Sequence, residues 1–409
     1  MKKMTYIDLF AGCGGLSEGF MQSGYYEGLA HVEWEFPMVN TLRNRLIQKW
    51  DHTEQEAVQH VIHFDIQKTQ ELINGNWSHE SKKIFGKTNS QLIQDGGLKE
   101  ILGNKKVDLI IGGPPCQAYS IAGRAQDKSS MKDDYRNYLF ESFVKVVDAF
   151  KPRFFVFENV PGLLSAKPGD QIVTERIFKA FKEIGYSIRQ PEELKRSLFY
   201  ASDFGVAQKR NRIIIIGVND DNSDDLDVIY NEIERLKSDN VKSVKDVLSD
   251  LPKFSPLNEN LKKISHKIES NNTLGIKNIE PRFHNKRDID IFKIWVNEGM
   301  NNRSTQDKID FYNNLMGKKS NHAKYRNLEW DKPSPTIVAH LYKDGLMFIH
   351  PDAYQARSIT VREAARLQSF PDDFEFISSM GYNYKMIGNA VPVLFAKKIA
   401  EGIYNYVKK

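Results

Sequence analysis

Cys116 stands in GGPPCQAYS (112–120), one of only two cysteines in a chain of 409 residues. Two prolines fix the backbone ahead of it and two glycines precede them, so the sulfur is held in a stiff turn. A free thiol has a pKa of about 8.5, which leaves a few per cent as thiolate at neutral pH, and a thiolate is a strong nucleophile. A lone cysteine is usually a small buried hydrophobe, and Cys13 in AGCGG carries that expectation. A space-filler has no need of the proline–glycine setting of Cys116. Two more groups suit chemistry. Glu158 closes the apolar run FFVF in FENVPGLL; apolar surroundings are expected to raise a carboxyl pKa and keep it protonated, as an acid or donor. Arg210 and Arg212 lie two apart in GVAQKRNRIIIIG, at the start of a strand, where that spacing points both the same way.

Positioning these groups requires a sheet. MTYIDLF (4–10), GLAHVEW (28–34), HVIHFDI (60–66), VDLIIGG (107–113), RFFVFENV (153–160) and RIIIIGV (212–218) read as strands. Several are nearly continuous apolar runs, as in parallel sheets covered on both faces. LSEGFMQSGY (16–25), YLFESFVKVVDAF (138–150) and VTERIFKAFKEIGY (173–186) have helical spacing between them. This alternation predicts an α/β fold with a mostly parallel sheet and helices on both faces. Residues 219–345 are rich in Asn, Lys, Asp and Ser without that rhythm and predict a smaller, irregular domain. SITVREAARLQSF (358–370) predicts a helix stopped by Pro371, and VPVLFAKKIAEGIYNYV (391–407) a last one. Residues 67–104 read as a polar insertion with some helix.

Between the first strand and helix, DLFAGCGGLSEGF supplies Gly12, Gly14 and Gly15, a turn that lets backbone approach a ligand. An acidic residue is expected about 20 positions on, and Glu33 stands there, placed to accept from ribose hydroxyls. Trp34 offers a flat face for a purine, and Asp65 ends the third strand, placed to accept from an adenine amine. Three strand ends thus present a nucleoside-binding set at one crevice. Ser17 stands where the third glycine of GxGxxG would be, so a nicotinamide cofactor and S-adenosylmethionine both remain open on these residues.

Composition excludes little. Hydrophobic residues are 40% and charged residues 27%, which is ordinary for a globular protein. No apolar run nears the roughly 20 residues of a membrane span, and the start MKKMTYIDLF lacks a signal-peptide pattern. With no disulfide framework possible from two cysteines, a cytoplasmic setting is expected, and no metal site. The net charge is +5. Residues 241–330 hold 17 Lys plus Arg against 11 Asp plus Glu, a net +6, leaving the remainder at −1. Alone, that is a lysine-rich solvated face; with a nucleic acid in view, it is a phosphate-facing module.

DLFAGCGG, GGPPCQAYS, ENV, QKRNR, REAARLQSFPDDF and GNAVP occur in the order and rough spacing of the DNA (cytosine-5) methyltransferases, and the chain resembles their bacterial restriction–modification type over about 1–218 and 332–409. The resemblance implies a Rossmann-like S-adenosylmethionine-dependent methyltransferase fold with a smaller target-recognition domain. The expected boundaries are 1–218 (catalytic and donor-binding), 219–345 (target recognition) and 346–409 (completing the catalytic domain).

By resemblance, Cys116 attacks C6 of cytosine, Glu158 contacts N3 and the exocyclic amine, and Asn159 helps hold that turn. Arg212 faces O2, with Arg210 in support; Gln117 and Ser120 lie near the extruded nucleotide in a lid over 117–137. S-adenosylmethionine would be bordered by Phe10, Gly12, Gly14, Gly15 and Leu16. Glu33 would bind its ribose, Trp34 and Asp65 its adenine, with Ile66, Pro115 and Leu139 as further contacts. Asn389, Ala390 and Val391 would meet the methionine end, folding 385–409 back beside the N-terminus. Thr336 would touch the DNA backbone, with His322, Lys324 and Arg326 as base or phosphate contacts. Ala364, Ala365 and Leu367 read as helix packing, and Arg362 as a brace between domains. The implied partner is double-stranded DNA, the implied state a monomer, and the implied counterpart a restriction endonuclease whose cutting the modification prevents. The chain departs from the family pattern at Tyr119, where Phe is common, in a less basic lid, and in a longer 67–104 segment.

Three other readings compete. An RNA (tRNA) cytosine-5 methyltransferase shares the scaffold, but that branch has a Cys-Phe-Thr element, and no cysteine follows Cys116. A non-catalytic DNA-binding regulator would not need Cys116, Glu158 and Arg212 together. A nicotinamide oxidoreductase leaves PPCQ and QKRNR without a purpose.

Overall fold

Both faces of the central sheet are buried, which explains its unbroken apolar strands. The computed structural model describes residues 2–115, 139–167, 172–221, 224–261, 263–269, 275–317 and 319–409. They form two compact units, one of 1–204, 211–239 and 391–409, the other of 205–210 and 240–390.

The first unit holds β1 (Met4–Leu9), β2 (Tyr26–Glu33), β3 (Val61–His63), β4 (Leu109–Gly112), β5 (Phe154–Asn159), β6 (Tyr186–Ser187) and β7 (Leu198–Tyr200). After β8 (Gln208–Lys209), which belongs to the second unit, β9 (Asn211–Asn219) returns to the first. The sheet order is β3-β2-β1-β4-β5-β9-β6, with β7 also paired to β9. Pairings from β3 through β5 are parallel, and those to β9 antiparallel. The chain leaves β1 toward β2 and β3, then returns to its other side as β4, so the strand order reverses beside β1. A ligand crevice is expected at the carboxyl ends of β1 and β4.

Phe154 to Phe157 and Ile213 to Ile216 are all buried, and alternation sends them to opposite faces. On one face, helix α1 (Gly15–Gln22) meets the helix Val393–Val407; a Cβ on Gly19 would lie 2.4 Å from that of Ala396. Tyr26 donates from its hydroxyl to the Ala400 carbonyl at 2.9 Å, so 391–409 does fold back beside the N-terminal strands. On the other face, Phe155 stacks on Phe181 with ring centres 4.0 Å apart. Segment 67–104 is less polar in its role than its composition implied. It forms three helices, Thr69–Asn74, His79–Phe85 and Gln91–Leu102, and buries Leu72, Ile73, Trp77, Phe85, Ile93 and Leu98 in the sheet's core.

The predicted strands and helices are present, most with shorter ends, while β9 and the start of β2 run longer than expected. β3 stops at His63 because Asp65 turns the chain, its carboxylate accepting from the Gln67 amide at 3.0 Å. The helix expected over 358–370 spans Val361–Leu367, its start set by a capping box between Thr360 and Glu363.

The second unit is irregular, as expected: a hairpin of Phe254–Leu261 and Ile264–Ile268, short helices, and a small core around Trp295, Phe292 and Tyr325. Buried arginines replace regular pairing. Arg362 donates to the carbonyls of Lys277, Pro371 and Phe374. These partners all belong to the second unit, where they tie segments 277 and 371–374 to the helix that carries Arg362. The units also differ from the boundaries read off the sequence. Helix Leu226–Glu234 packs in the first, with Ile233 against Gly402, and 346–390 packs in the second, where His350, Arg357 and Glu363 form one buried network. Among the described residues no helix is long and apolar enough to cross a membrane, and none group as a metal site.

Candidate active site

At the carboxyl end of β1 the chain makes three left-handed steps before α1, the first two at Phe10 (φ 60°) and Gly12 (φ 58°). Gly14, at φ 91°, caps α1; a Cβ there would lie 2.5 Å from Leu42 Cδ1, so glycine is required twice over. Glu33 at the end of β2 holds this turn. Its Oε2 accepts from the Gly12 amide at 2.9 Å, and its Oε1 from the amides of Trp34 at 2.9 Å and Glu35 at 2.8 Å. Burial raises the Glu33 carboxyl above the ordinary range, with these donors acting the other way. The sequence reading missed this bracing role.

Trp34 is 55% exposed and presents an open aromatic face. Its carbonyl accepts from His63 Nε2 at 2.9 Å. Asp65 is half-buried, Ile66 and Leu16 are buried, and a Cβ on Gly12 would meet nothing within 4 Å among the described residues. An acid at the turn, an open ring and a second carboxylate past the next strand fit a nucleoside-bearing cofactor. Leu139 and Val391 are buried and Pro115 exposed. Asn389 and Ala390 end the helix Met380–Asn389 of the second unit. Cys13 is buried, its thiol pushed up to about 12 by that burial, which makes it the inert space-filler expected.

The turn leading to Cys116 is built by its neighbours. Gly112 lets β4 approach β1, since a Cβ would lie 2.3 Å from the Leu9 carbonyl oxygen. Gly113 makes room for Glu158, whose Oε2 would be 2.6 Å from a Cβ there. Buried Asn159 reaches the Pro114 carbonyl from Nδ2 at 3.4 Å and accepts from the Val160 amide at 2.9 Å, tying the end of β5 to that turn. Cys116, Gln117, Tyr119, Ser120 and the rest of the 117–137 segment lie outside the described residues.

Glu158 is not surrounded by apolar side chains alone, which corrects the sequence expectation. Arg212 Nε lies 2.6 Å from its Oε1, with both side chains 12% exposed. Arg210 and Arg212 do not act as a pair either. Arg212 also donates to the Asn211 carbonyl at 2.7 Å, whereas fully buried Arg210 donates to the carbonyls of Ile337 at 2.9 Å and Gly388 at 3.3 Å in the second unit. The strand spacing argument fails because Arg210 precedes β9 and belongs with the other unit.

In the second unit Thr336 donates to the Lys209 carbonyl at 2.6 Å, beside the β8 pairing with Ser334–Pro335. Gln208 locks that pairing, donating to the Leu367 carbonyl at 3.0 Å and accepting from the Ile337 amide at 2.9 Å. It is the first residue of QKRNR, a signal that pointed to it. His322 and Lys324 are exposed. Arg326 is half-buried over the Phe348 ring, and burial lowers its pKa.

Comparison with known proteins agrees with this geometry. A family model described as C-5 cytosine-specific DNA methylase matches residues 52–405. The Type II methyltransferase M.Bpa9945I of Bacillus paralicheniformis is 33% identical over 99% of this chain and 99% of its own length. M1.HphI of Haemophilus parahaemolyticus, also a Type II methyltransferase, is 31% identical over 98% of this chain and 86% of its own. A solved Escherichia coli prophage protein, described as a DNA modification methyltransferase, is 25% identical with a TM-score of 0.58 over all of both chains. The Entamoeba histolytica methyltransferase EhMeth, 12% identical with a TM-score of 0.56 over all of both chains, shares the fold.

Proposed function

This chain belongs to the C-5 cytosine-specific DNA methylases, and on that premise we propose that it moves a methyl group from S-adenosylmethionine to C5 of a cytosine extruded from a specific duplex DNA sequence. The reaction proceeds through a bond between the Cys116 sulfur and C6. It protects host DNA from a cognate restriction endonuclease, and the protein acts as a monomer. The observation that carries this reading is the Glu158–Arg212 pair, which sits over Gly113 just before the Pro-Pro-Cys turn.

A cytosine edge presents an exocyclic amine, N3 and O2 in a row. A carboxyl beside a guanidinium complements that edge, with Glu158 at the amine and N3 and Arg212 at O2. Attack by the Cys116 thiolate on C6 forms the S–C6 bond and pushes electron density toward O2 and C5. Arg212 answers the charge that develops at O2, the role of a pre-placed donor. C5 thereby gains the nucleophilicity of an enamine carbon. S-adenosylmethionine, when bound, supplies an electrophilic methyl group. Loss of the C5 proton and expulsion of the thiolate restore the ring and regenerate Cys116. Extruding the base costs a few kcal/mol, offset by these contacts.

Glu33 accepts from the donor's ribose, Trp34 carries its adenine, and Asp65 accepts from the adenine amine. The first unit carries the chemistry. The basic stretch in the second, with Thr336, His322, Lys324 and Arg326, contacts the DNA.

Tritiated methyl transfer to duplex DNA and to tRNA tests the reading. Label in DNA, recovered as 5-methylcytosine at one sequence context, is the expected result. Label in tRNA alone would move the protein to the RNA branch, and no label in either would end the assignment.

A further inference from the structure

Beneath the glycine turn lies a buried polar chain that the mechanism above leaves unused. Asp8 on β1 and His31 on β2 are direct partners in the parallel register, so their side chains share one face. Ser17, in the first turn of α1, covers both. Its Oγ lies 2.5 Å from Asp8 Oδ2 and 2.9 Å from His31 Nδ1. Ser17 is fully buried and the other two are 1% exposed. Among the described residues Asp8 Oδ1 has no hydrogen-bond partner, so the carboxyl's hydrogen bonding runs through Ser17.

We infer that Ser17 is a positioning residue for the methyl-donor site: clasped by Asp8 and His31, its hydroxyl fixes where α1 begins and so where Gly12 to Leu16 sit at the crevice. This rests on the S-adenosylmethionine reading above.

The link from Ser17 to the turn is short. The Gly14 amide donates to the Ala11 carbonyl at 2.8 Å, and the Ala11 amide to the Val32 carbonyl at 3.0 Å. Gly12 is tied to Glu33 from above. The turn is therefore held on one side by Glu33 and on the other by Ser17, and β1 and β2 carry both anchors. Gly28 is a second sign of construction. A Cβ there would lie 2.7 Å from His31 Nε2 and 2.9 Å from the Tyr6 hydroxyl, so glycine makes the space His31 occupies.

Burial raises Asp8 to about 8 and lowers His31 to about 3. At neutral pH both are then mainly uncharged. The Ser17 hydroxyl donates to Asp8 Oδ2, and the Nδ1-protonated tautomer of neutral His31 donates to Ser17 Oγ. No unpaired charge is buried. Where a dinucleotide fold uses a third glycine only for close helix–strand packing, this chain has a directional clasp.

Titration of S-adenosylmethionine into the full-length protein tests the inference, alongside steady-state KM, kcat and duplex-DNA affinity. Wild type failing to bind the donor would sink the donor reading itself. Given that binding, Ser17→Ala and Ser17→Gly are expected to raise donor Kd and KM about tenfold. At saturating donor, kcat, and separately DNA affinity, should stay within about twofold of wild type. Close packing alone would tolerate glycine or alanine. Should neither fold, Ser17→Cys, similar in volume and a weak donor, is measured with the same split expected. Donor Kd within about twofold of wild type, or donor and DNA affinity falling together with thermal stability, would overturn the inference.

Discussion

Two arginine–glutamate pairs, one in each unit, treat the same charges in opposite ways. In the second unit Arg357 grips Glu363 with two contacts of 2.7 Å, and their side chains are 0% and 3% exposed. Gln355 and the Ser358 carbonyl take the remaining guanidinium donors, and the Thr360 amide donates to Glu363. Burial works to raise Glu363, but Arg357, His350 and the Thr360 amide more than offset it and bring the carboxyl to about 2. In the first unit Glu158 and Arg212 share one short contact, and each stays partly open. A pair whose hydrogen-bonding capacity is consumed holds a fold together. A pair that has capacity left among the described residues, beside the turn that leads to Cys116, can receive a ligand.

Glu158→Gln should sharpen this contrast most. A loss of about 10²–10⁴ in methyl-transfer rate is expected, the range for a positioned acid–base group. Donor affinity and thermal midpoint should hardly change. Loss of folding instead would make this pair structural too. Glu363→Gln should do the reverse, leaving Arg357 buried without a counter-charge at about 3–5 kcal/mol of stability. Urea unfolding reads the cost, and activity should fall only as the folded fraction falls.

Acid should separate the units further. Burial, the leading cause, brings His266 and His350 to about 4 and His284 to about 3, from an ordinary 6.5. Unfolded histidines bind protons that these refuse, so their contribution is complete above pH 6.5 and is lost as pH falls toward 4. Glu363 adds its loss only below its ordinary 4.5. In the first unit His31, His60 and His63 follow the same sign, but Asp8, raised to about 8, and Glu33, also raised by burial, oppose it: the Asp8 contribution is present below its ordinary 3.8 and lost as pH rises toward 8. Hydrogen exchange between neutral pH and pH ~4.5 should show the second unit weakening more. Equal weakening would contradict the assignment of these histidines as buried and neutral.

The smallest effect is expected at the surface. Lys324→Ala should weaken DNA binding a few-fold across sequences and reduce the salt slope by about 1. A selective loss at one base position would instead make Lys324 a reader of sequence.

What could be read in advance follows from how each part is held. The parallel strands, the glycine turn and its acid were legible because sheet burial and left-handed backbone leave strong local marks: Ile213 to Ile216 and Gly12 and Gly14 show both. Motif order singles out Cys116, Glu158 and Arg212; the structure brings Glu158 and Arg212 into contact, and Cys116 lies outside the described residues. The contact itself was not legible, because it joins antiparallel neighbours from strands far apart in sequence. Arg210 was misread because partners 127 and 178 residues away decide its direction. Most of the second unit was illegible for the same reason: Arg362, Gln208 and His284 satisfy distant backbone or side chains, and no periodicity records such bonds. Segment 67–104 was read as polar because its buried residues are spread among exposed ones across three short helices.

The central claim is covalent attack by the Cys116 sulfur on the cytosine ring. Duplex DNA carrying 5-fluorocytosine in the target sequence, incubated with S-adenosylmethionine and the protein, tests it by intact and peptide mass spectrometry. A stable adduct mapping to Cys116 and absent from Cys116→Ala is the predicted result. Methylation of ordinary DNA without any trapped adduct, or an adduct on another residue, would contradict the account.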